Sequence, residues 1–407
     1  MSEHPTSTAA FSSKTRFREL LKRVEYSPPK DVLIHVGDII TKGPHEGSLA
    51  VLKYMATHNV TGVRGNHDQQ VIEWRGWIDW VSSTPQGRAW LKHVERRWQK
   101  AKEKQEDFNL ISWVKTEGSA CSHKDKKWWR RIPKGWVLFS DHYKIAKDMS
   151  ETQFRYLLRL PLRLYIPSAH AYIVHAGLLP SDPRYSSEDI KRQPLAHVPS
   201  LTQRPTVNEI GEDSHSVSST KTNKTIERLR NLQEMSLLTQ IPQNTDPWVA
   251  LNMRSIIGVK ISRKPKEGIP WTNIWNQHMN SCSGFKQTLA EVRGANGDVN
   301  FNTTEKNMDK LHLSCYPFTT IYGHAASRGL VVKRWSFGLD SGCVYRRKLS
   351  ALVIGKSTVK ANWNQGDESE GNNDKVTDEV DALKKQNYDS LPFGDRGVAS
   401  IIRVKCR

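Results

Sequence analysis

Two apolar runs near the start of the chain each end in side chains that can hold a cation. Val32-Leu33-Ile34-His35-Val36 leads into Gly37-Asp38, and Gly62-Val63-Arg64 leads into Gly65-Asn66-His67-Asp68, with a helix-like segment at 48–55 between them. A strand, a helix and a second strand deliver successive loop tips to one sheet edge, so a carboxylate, an amide oxygen and an imidazole arrive together. Two more strand-like runs end in a histidine followed by a small residue, Tyr172-Ile173-Val174-His175-Ala176 and Ile321-Tyr322-Gly323-His324-Ala325. One carboxylate, one amide oxygen and two imidazoles, at Asp38, Asn66, His175 and His324, suit zinc, manganese, iron or cobalt better than calcium, which takes oxygen ligands. Such an ion polarises a phosphoryl oxygen and lowers the pKa of a water, so hydrolysis of a phosphate bond is the expected chemistry. The expectation requires four side chains far apart in sequence to meet at one point.

The elements that must position them can be read from periodicity. Phe17, Leu20, Leu21 and Val24 predict an amphipathic helix over 16–24, ended near Pro28-Pro29. A Trp-rich region follows the second junction: Trp74, Trp77, Trp80, Trp90, Trp98, Trp113, Trp128, Trp129 and Trp136. Val71, Trp74 and Trp77 fall on one helical face, which assigns most of these rings to core packing. Interleaved with them are Lys92, Arg96, Arg97, Lys100, Lys102 and Lys104, then Lys124, Lys126, Lys127, Arg130 and Arg131. That cluster is a solvated face, a basic cap over the site for a long phosphate chain, or a nucleic-acid surface. Further on, 136–141 reads as a strand, 146–160 as a helix and 171–174 as a strand. Residues 209–225 have loop composition and 362–389 form an acidic, Gly/Asn-rich insertion, while 319–322, 330–332, 349–354 and 401–404 read as strands.

Composition narrows the partners. The 407 residues hold 61 Lys plus Arg against 42 Asp plus Glu, a formal net charge of +19 and a sequence pI of about 9.7. Such an excess draws polyanions. Cysteines at 121, 282, 315, 343 and 406 show no paired spacing, so buried or surface thiols are expected rather than a disulfide frame or a zinc knuckle. No 18-residue apolar run is present, and Met1-Ser2-Glu3-His4-Pro5 lacks the apolar core of a signal peptide.

In order along the chain, Gly37-Asp38 with Lys42-Gly43, Arg64-Gly65-Asn66-His67-Asp68, Tyr172 to Leu178, Ile321 to Ala325 and Gly338 to Tyr345 resemble the motif series of the calcineurin-like metallophosphoesterases. The match is to their phosphoprotein-phosphatase and diadenosine-tetraphosphatase branch. Asp38 to Pro44, together with Pro242 to Arg254 and Pro270-Trp271, is most similar to the fungal zinc-dependent endopolyphosphatase group. That resemblance implies an α/β fold: a metallophosphoesterase-type β-sandwich flanked by helices, with a Trp-rich basic insertion and two low-complexity loops. It implies one domain over 16–407, with 72–135 as the insertion, 209–225 and 362–389 as disordered loops, and 1–15 unstructured.

The resemblance also assigns roles. Asp38 would bridge two metals, with Asn66, His175 and His324 completing the shell of the second. His67 would protonate the leaving oxygen, and Arg64, Arg254, Arg328 and Lys42 would hold phosphate. Zinc is the implied metal, with manganese, cobalt or iron as alternatives. Two departures stand out. The family places a strand ending in Gly-Asp-x-His-Gly before the first helix, whereas Ala10-Phe11-Ser12-Ser13-Lys14 stands here. Either the sequence is truncated within its first metal-binding motif or one metal has been given up. The carboxylate that normally orients the acid histidine is replaced by Thr41, and Lys42 follows where the family has Arg. The implied activity is a metallophosphoesterase cutting phosphoanhydride bonds, first of all inorganic polyphosphate. Ser/Thr phosphoprotein phosphatase, diadenosine tetraphosphatase and an inactive polyanion-binding module are the alternatives, and nucleic acid ranks behind polyphosphate as a partner. The chain as written is expected to be soluble, vacuolar if an N-terminal anchor was lost and cytoplasmic otherwise.

Overall fold

The computed structural model describes residues 10–104, 107–200, 218–285, 312–355, 390–395 and 397–406. The chain divides into two compact units, Met1–Pro161 with Val344–Arg347 and Lys405–Arg407, and Leu162–Cys343 with Lys348–Val404.

The first unit is helical around a short parallel pair. After α1 (Ala10–Arg23), β1 (Ile34–His35) and β2 (Thr61–Gly62) pair with His35 opposite Gly62, and α2 (His45–Thr57) joins them. The pairing is close enough that a Cβ on Gly62 would lie 2.2 Å from the His35 ring. Then come α3 (Asn66–Ser83), α4 (Pro85–Lys104), α5 (Leu110–Ala120), α6 (His123–Trp129), α7 (Asp141–Asp148) and α8 (Glu151–Arg159). Val71, Trp74, Trp77 and Val81 bury one face of α3, and the Trp74 ring meets Trp77, Trp136 and Tyr143 at 5.3, 4.6 and 5.3 Å. Most of the tryptophans are therefore core, with Trp80 the exception at 46% exposed.

Several boundaries differ from the sequence reading. The first helix begins at Ala10, six residues early. No strand forms over 136–141, because Gly135 and Phe139 take φ of +86° and +63° and turn the chain, leaving Leu138 and Phe139 as buried plugs. The helix expected over 146–160 is two, since Ser150 starts a new one: its Oγ accepts from Gln153 N at 3.3 Å and its N–H donates to Gln153 Oε1 at 2.7 Å. Residues 218–225 are the first turns of a helix rather than a loop, drawn in by the segment that follows, where Leu229 and Leu237 are buried. Residues 1–9, 209–217 and 362–389 lie outside the described residues.

The second unit holds the main sheet, in the order β3-β4-β8-β10-β9. β3 (Arg163–Ile166) and β4 (Ala171–Val174) form a hairpin, followed by α9 (Ser218–Gln240), α10 (Pro242–Thr245) and α11 (Pro247–Asn252). A small antiparallel sheet of β5 (Ser255–Ile257), β6 (Lys260–Ser262) and β7 (Ile269–Pro270) leads into α12 (Trp271–Asn280). β8 (Thr319–Tyr322) lies parallel to β4 with Ile173 opposite Ile321, and β9 (Val331–Lys333) and β10 (Ser336–Gly338) extend the sheet. A three-stranded sheet of β11 (Lys348–Gly355), β12 (Leu391–Phe393) and β13 (Gly397–Lys405) completes the unit. β4 is buried along its length, and Tyr172, Trp271, Trp275, Phe318 and Tyr322 dominate the core above it. The α/β class expected from the sequence holds.

The cysteines correct that reading. Cys282 and Cys315 form a disulfide, Cys343 and Cys406 are also in disulfide form, and Cys121 is the free cysteine among the described residues. Sequence spacing could not show it: Cys282 and Leu313 form an isolated bridge, and Gly284 N–H donates to the Cys315 carbonyl at 2.8 Å, so 33 residues of chain close locally. Peptide mapping without reductant should recover Cys282 and Cys315 in one linked species, and Cys282→Ala should lower unfolding stability by about 2–4 kcal/mol in a denaturant titration. Full alkylation of both thiols in the native protein would contradict this.

Candidate active site

In the first unit the two strand-to-loop junctions are tied together by one carboxylate. Asp68, wholly buried at the third position of α3, accepts from the backbone N–H of Asp38 at 2.9 Å and of Gly65 at 2.8 Å through Oδ2. Asp38 in turn accepts from the His67 N–H through Oδ1 at 2.9 Å. The approach is so close that a Cβ on Gly65 would lie 2.1 Å from Asp38 Oδ1. Asp38, Thr41 and Lys42 sit at φ of +54°, +77° and +56°, a strained loop of the kind that persists where the surroundings over-determine it. Asn66 opens α3, between Gly65 and His67, whose backbones meet Asp38.

His67 and its neighbours were only partly foreseen. His67 Nδ1 lies 2.7 Å from His142 Nε2, with the rings stacked at 5.0 Å and 25°. Burial first, and then the nearby His67, hold His142 down at about 4, against the opposing pull of Asp141 and Asp38. His142 escaped the sequence analysis because it belongs to no motif; asking what replaces the carboxylate missing at Thr41 is the one signal that could have found it. His35, three residues before Asp38, is structural: its Nε2–H donates to the Tyr156 hydroxyl at 2.8 Å, which donates to the Val60 carbonyl at 2.8 Å. Lys42 is exposed, and its Nζ reaches the Tyr345 hydroxyl at 3.5 Å. Arg64 donates to Gln69 Oε1 at 2.9 Å and the Leu158 carbonyl at 2.6 Å, while its buried Nε has no partner among the described residues. Burial lowers its pKa, with Asp68 opposing.

In the second unit the parallel pairing of β4 and β8 brings His175 and His324 side by side. The Gly323 N–H donates to the His175 carbonyl at 3.0 Å, continuing the ladder past the strand ends. His175 Nε2 then faces His324 Nδ1 at 3.1 Å, both rings being buried. The other nitrogen of His324, Nε2, lies 3.3 Å from the Asn252 carbonyl, which orients the ring and leaves Nδ1 as its ligand atom. A Cβ on Gly177 would lie 2.8 Å from the ring of the buried Trp271, so this turn also needs glycine.

Arg254 and Arg328 brace the same turn. Arg254 donates to the His324 carbonyl through Nε and Nη2 at 3.3 and 3.1 Å, and to the Arg263 carbonyl at 2.8 Å. Arg328 donates to the Arg254 carbonyl at 3.1 Å, the Ser255 hydroxyl at 3.1 Å and the Pro265 carbonyl at 2.8 Å. His324 itself sits at φ +63°, and these guanidinium groups hold it there. Both arginines direct donors at backbone oxygens, and burial lowers the pKa of Arg328.

The model of the calcineurin-like phosphoesterase family matches residues 10–175. Over 62 residues the chain is 39% identical to serine/threonine-protein phosphatase 1 of Salmonella typhimurium, covering 14% of this chain and 28% of that protein. Over 60 residues it is 38% identical to the symmetrical bis(5'-nucleosyl)-tetraphosphatase of Haemophilus ducreyi, covering 14% and 22%. The chain thus spans well under a third of the length of either curated relative. A solved structure of a candidate diadenosine tetraphosphatase aligns over 83% of both chains at 17% identity with a TM-score of 0.37, too loose a likeness to support any geometry.

The knot around Asp68 makes a direct prediction. Gly65→Ala must push Asp38 out of place, so it should destabilise the first unit by about 2–4 kcal/mol, the range of severe steric and polar disruptions. A variant with unchanged melting temperature would contradict the close approach.

Proposed function

Starting from residues 10–175 as a calcineurin-like phosphoesterase segment, we propose that this chain is a metal-dependent hydrolase of phosphoanhydride bonds, acting on the internal bonds of inorganic polyphosphate. In this reading 16–407 is one catalytic domain, and Asp38, Asn66, His175 and His324 hold a divalent transition metal, zinc ahead of manganese, cobalt or iron.

The observation that carries the reading is the facing pair of buried imidazoles, His175 Nε2 and His324 Nδ1 at 3.1 Å, with the far nitrogen of His324 set by a carbonyl. Two ring nitrogens that close fit neighbouring ligands on one ion, whose bonds to imidazole run about 2.0–2.1 Å. The donor set of nitrogen, carboxylate and amide oxygen suits the same ions. Residues 10–14, where the resembled family has its Asp-x-His ligands, are the first turn of α1, so the proposal is for one ion held by the remaining ligands.

When bound, such an ion polarises a phosphoryl oxygen and lowers the pKa of a water. His67 gives a proton to the departing oxygen. Arg64, through its remaining Nε–H, and the exposed Lys42 hold phosphoryl oxygens, and Arg254 and Arg328 add positive field while fixing the His324 turn. Polyphosphate is favoured over small substrates by the net charge of +19 and by the exposed lysines and arginines of α4 and α6, which raise the local concentration of a linear polyanion.

A second reading follows from the curated relatives, whose names specify Ser/Thr phosphoprotein and dinucleoside tetraphosphate hydrolysis. A third is a polyanion-binding module without turnover. With zinc, manganese or cobalt, the protein should shorten long polyphosphate internally, seen as mid-length products on a gel. Since altering a group that only supports a ligand costs about 10–100-fold, His175→Ala or His324→Ala should cost about 100-fold or more in kcat/KM together with bound metal. Turnover confined to dinucleoside tetraphosphate or phosphopeptide would replace the substrate, and tight polyphosphate binding without hydrolysis or metal would select the module.

A further inference from the structure

The geometry points to His142 as the residue that positions His67, accepting the His67 Nδ1–H at its own Nε2 so that the His67 Nε2 proton is the one handed to the leaving oxygen. The role rests on the hydrolase reading above, but the pair itself does not. Three observations converge on it. Thr41, which stands where the resembled family has its orienting carboxylate, keeps its Oγ1 buried with no hydrogen-bond partner among the described residues. His142 Nε2 lies 2.7 Å from His67 Nδ1, a full hydrogen bond between nitrogens, and a single proton must lie between them. His142 is also carried by a rigid element: the next residue of α7, Tyr143, is buried against Trp74 of α3, with ring centroids 5.3 Å apart, and α3 is the helix that carries His67.

The chemistry differs from that of an imidazole on a carboxylate. Burial keeps His142 neutral at ordinary pH, so it serves as an acceptor without adding a negative charge. It fixes the ring and its tautomer while leaving the charged form of His67 less stabilised than a carboxylate would. In the step, water adds to phosphorus and releases a proton. The electron pair of the breaking P–O bond goes to the leaving oxygen, and the proton on His67 Nε2 moves to that oxygen. His67 keeps its Nδ1–H, still donated to His142, and recovers a proton from solvent.

The test uses the full chain and two readouts. In protein labelled with 15N in its histidine rings, a coupling through the hydrogen bond should connect His67 Nδ1 and His142 Nε2 and should vanish in His142→Ala. In kinetics, phenyl phosphate needs its leaving oxygen protonated and 2,4-dinitrophenyl phosphate does not. His142→Ala should therefore lower kcat for the first by roughly 10- to 100-fold, within the range of general-acid effects, with KM nearly unchanged, and leave the second within about 3-fold. His142→Gln places an amide oxygen near the lost Nε2 and should recover most of the phenyl phosphate rate. Equal losses on both esters, or no rescue by Gln, would overturn the positioning role. Absence of the coupling in the folded protein would overturn the pair. A wild-type chain that hydrolyses no phosphate compound with any metal would refute the hydrolase reading and with it the catalytic role, while the 15N readout would still decide the pair.

Discussion

One buried carboxylate governs the first unit. Asp68 Oδ2 takes the backbone N–H groups of Asp38 and Gly65 together, 2.9 and 2.8 Å away, and so fixes the loop after β1 against the loop after β2. Two N–H groups left without that partner would each carry a desolvation penalty of about 1–3 kcal/mol, so the knot is costly to open. Its consequence is positional: Asp38 is held at φ +54°, and its Oδ1 sits on the first turn of α3 where Asn66 and His67 begin. The second unit reaches the same end by other means. Two parallel strands finish level, a backbone hydrogen bond from Gly323 to His175 locks the turns, and the arginine relay from Arg328 through Arg254 to the His324 carbonyl keeps that histidine in a left-handed conformation.

Positive charge therefore does two kinds of work. Arg254 and Arg328 are half-buried and direct their donors at carbonyls, so their main effect is to shape the His324 turn, with the field they add as a by-product. The lysines and arginines of α4 and α6 are exposed, so their charge acts through the field they set up at the surface rather than by gripping one group. Arg64 stands between these cases, with two contacts made and its Nε–H still to place.

The elements that carry the candidate site are legible where chemistry coincides with periodicity. An apolar strand ending in a short polar motif announces the element, which is why Ala171–Val174 and Thr319–Tyr322 are the strands that the sequence predicts. What escaped depended on tertiary contact. His142 is an unremarked residue at a helix start until the fold sets it against His67, and nothing local distinguishes Cys282 and Cys315 from thiols. The run at 136–141 looked like a strand because apolar residues in a turn are buried as deeply as those in a sheet, and periodicity cannot tell them apart over six positions. The polar run at 218–225 is the opposite case, since a helix whose later turns are buried extends back through a polar sequence.

The central proposal is that Asp38, Asn66, His175 and His324 hold one cation, and an anomalous difference map from crystals grown with manganese or zinc tests it most directly. The account predicts a peak about 2.0–2.3 Å from one donor atom of each of the four, at His175 Nε2 and His324 Nδ1 among them. A peak on the two histidines with Asp38 and Asn66 more than about 4 Å away, or a peak elsewhere in the molecule, would contradict it.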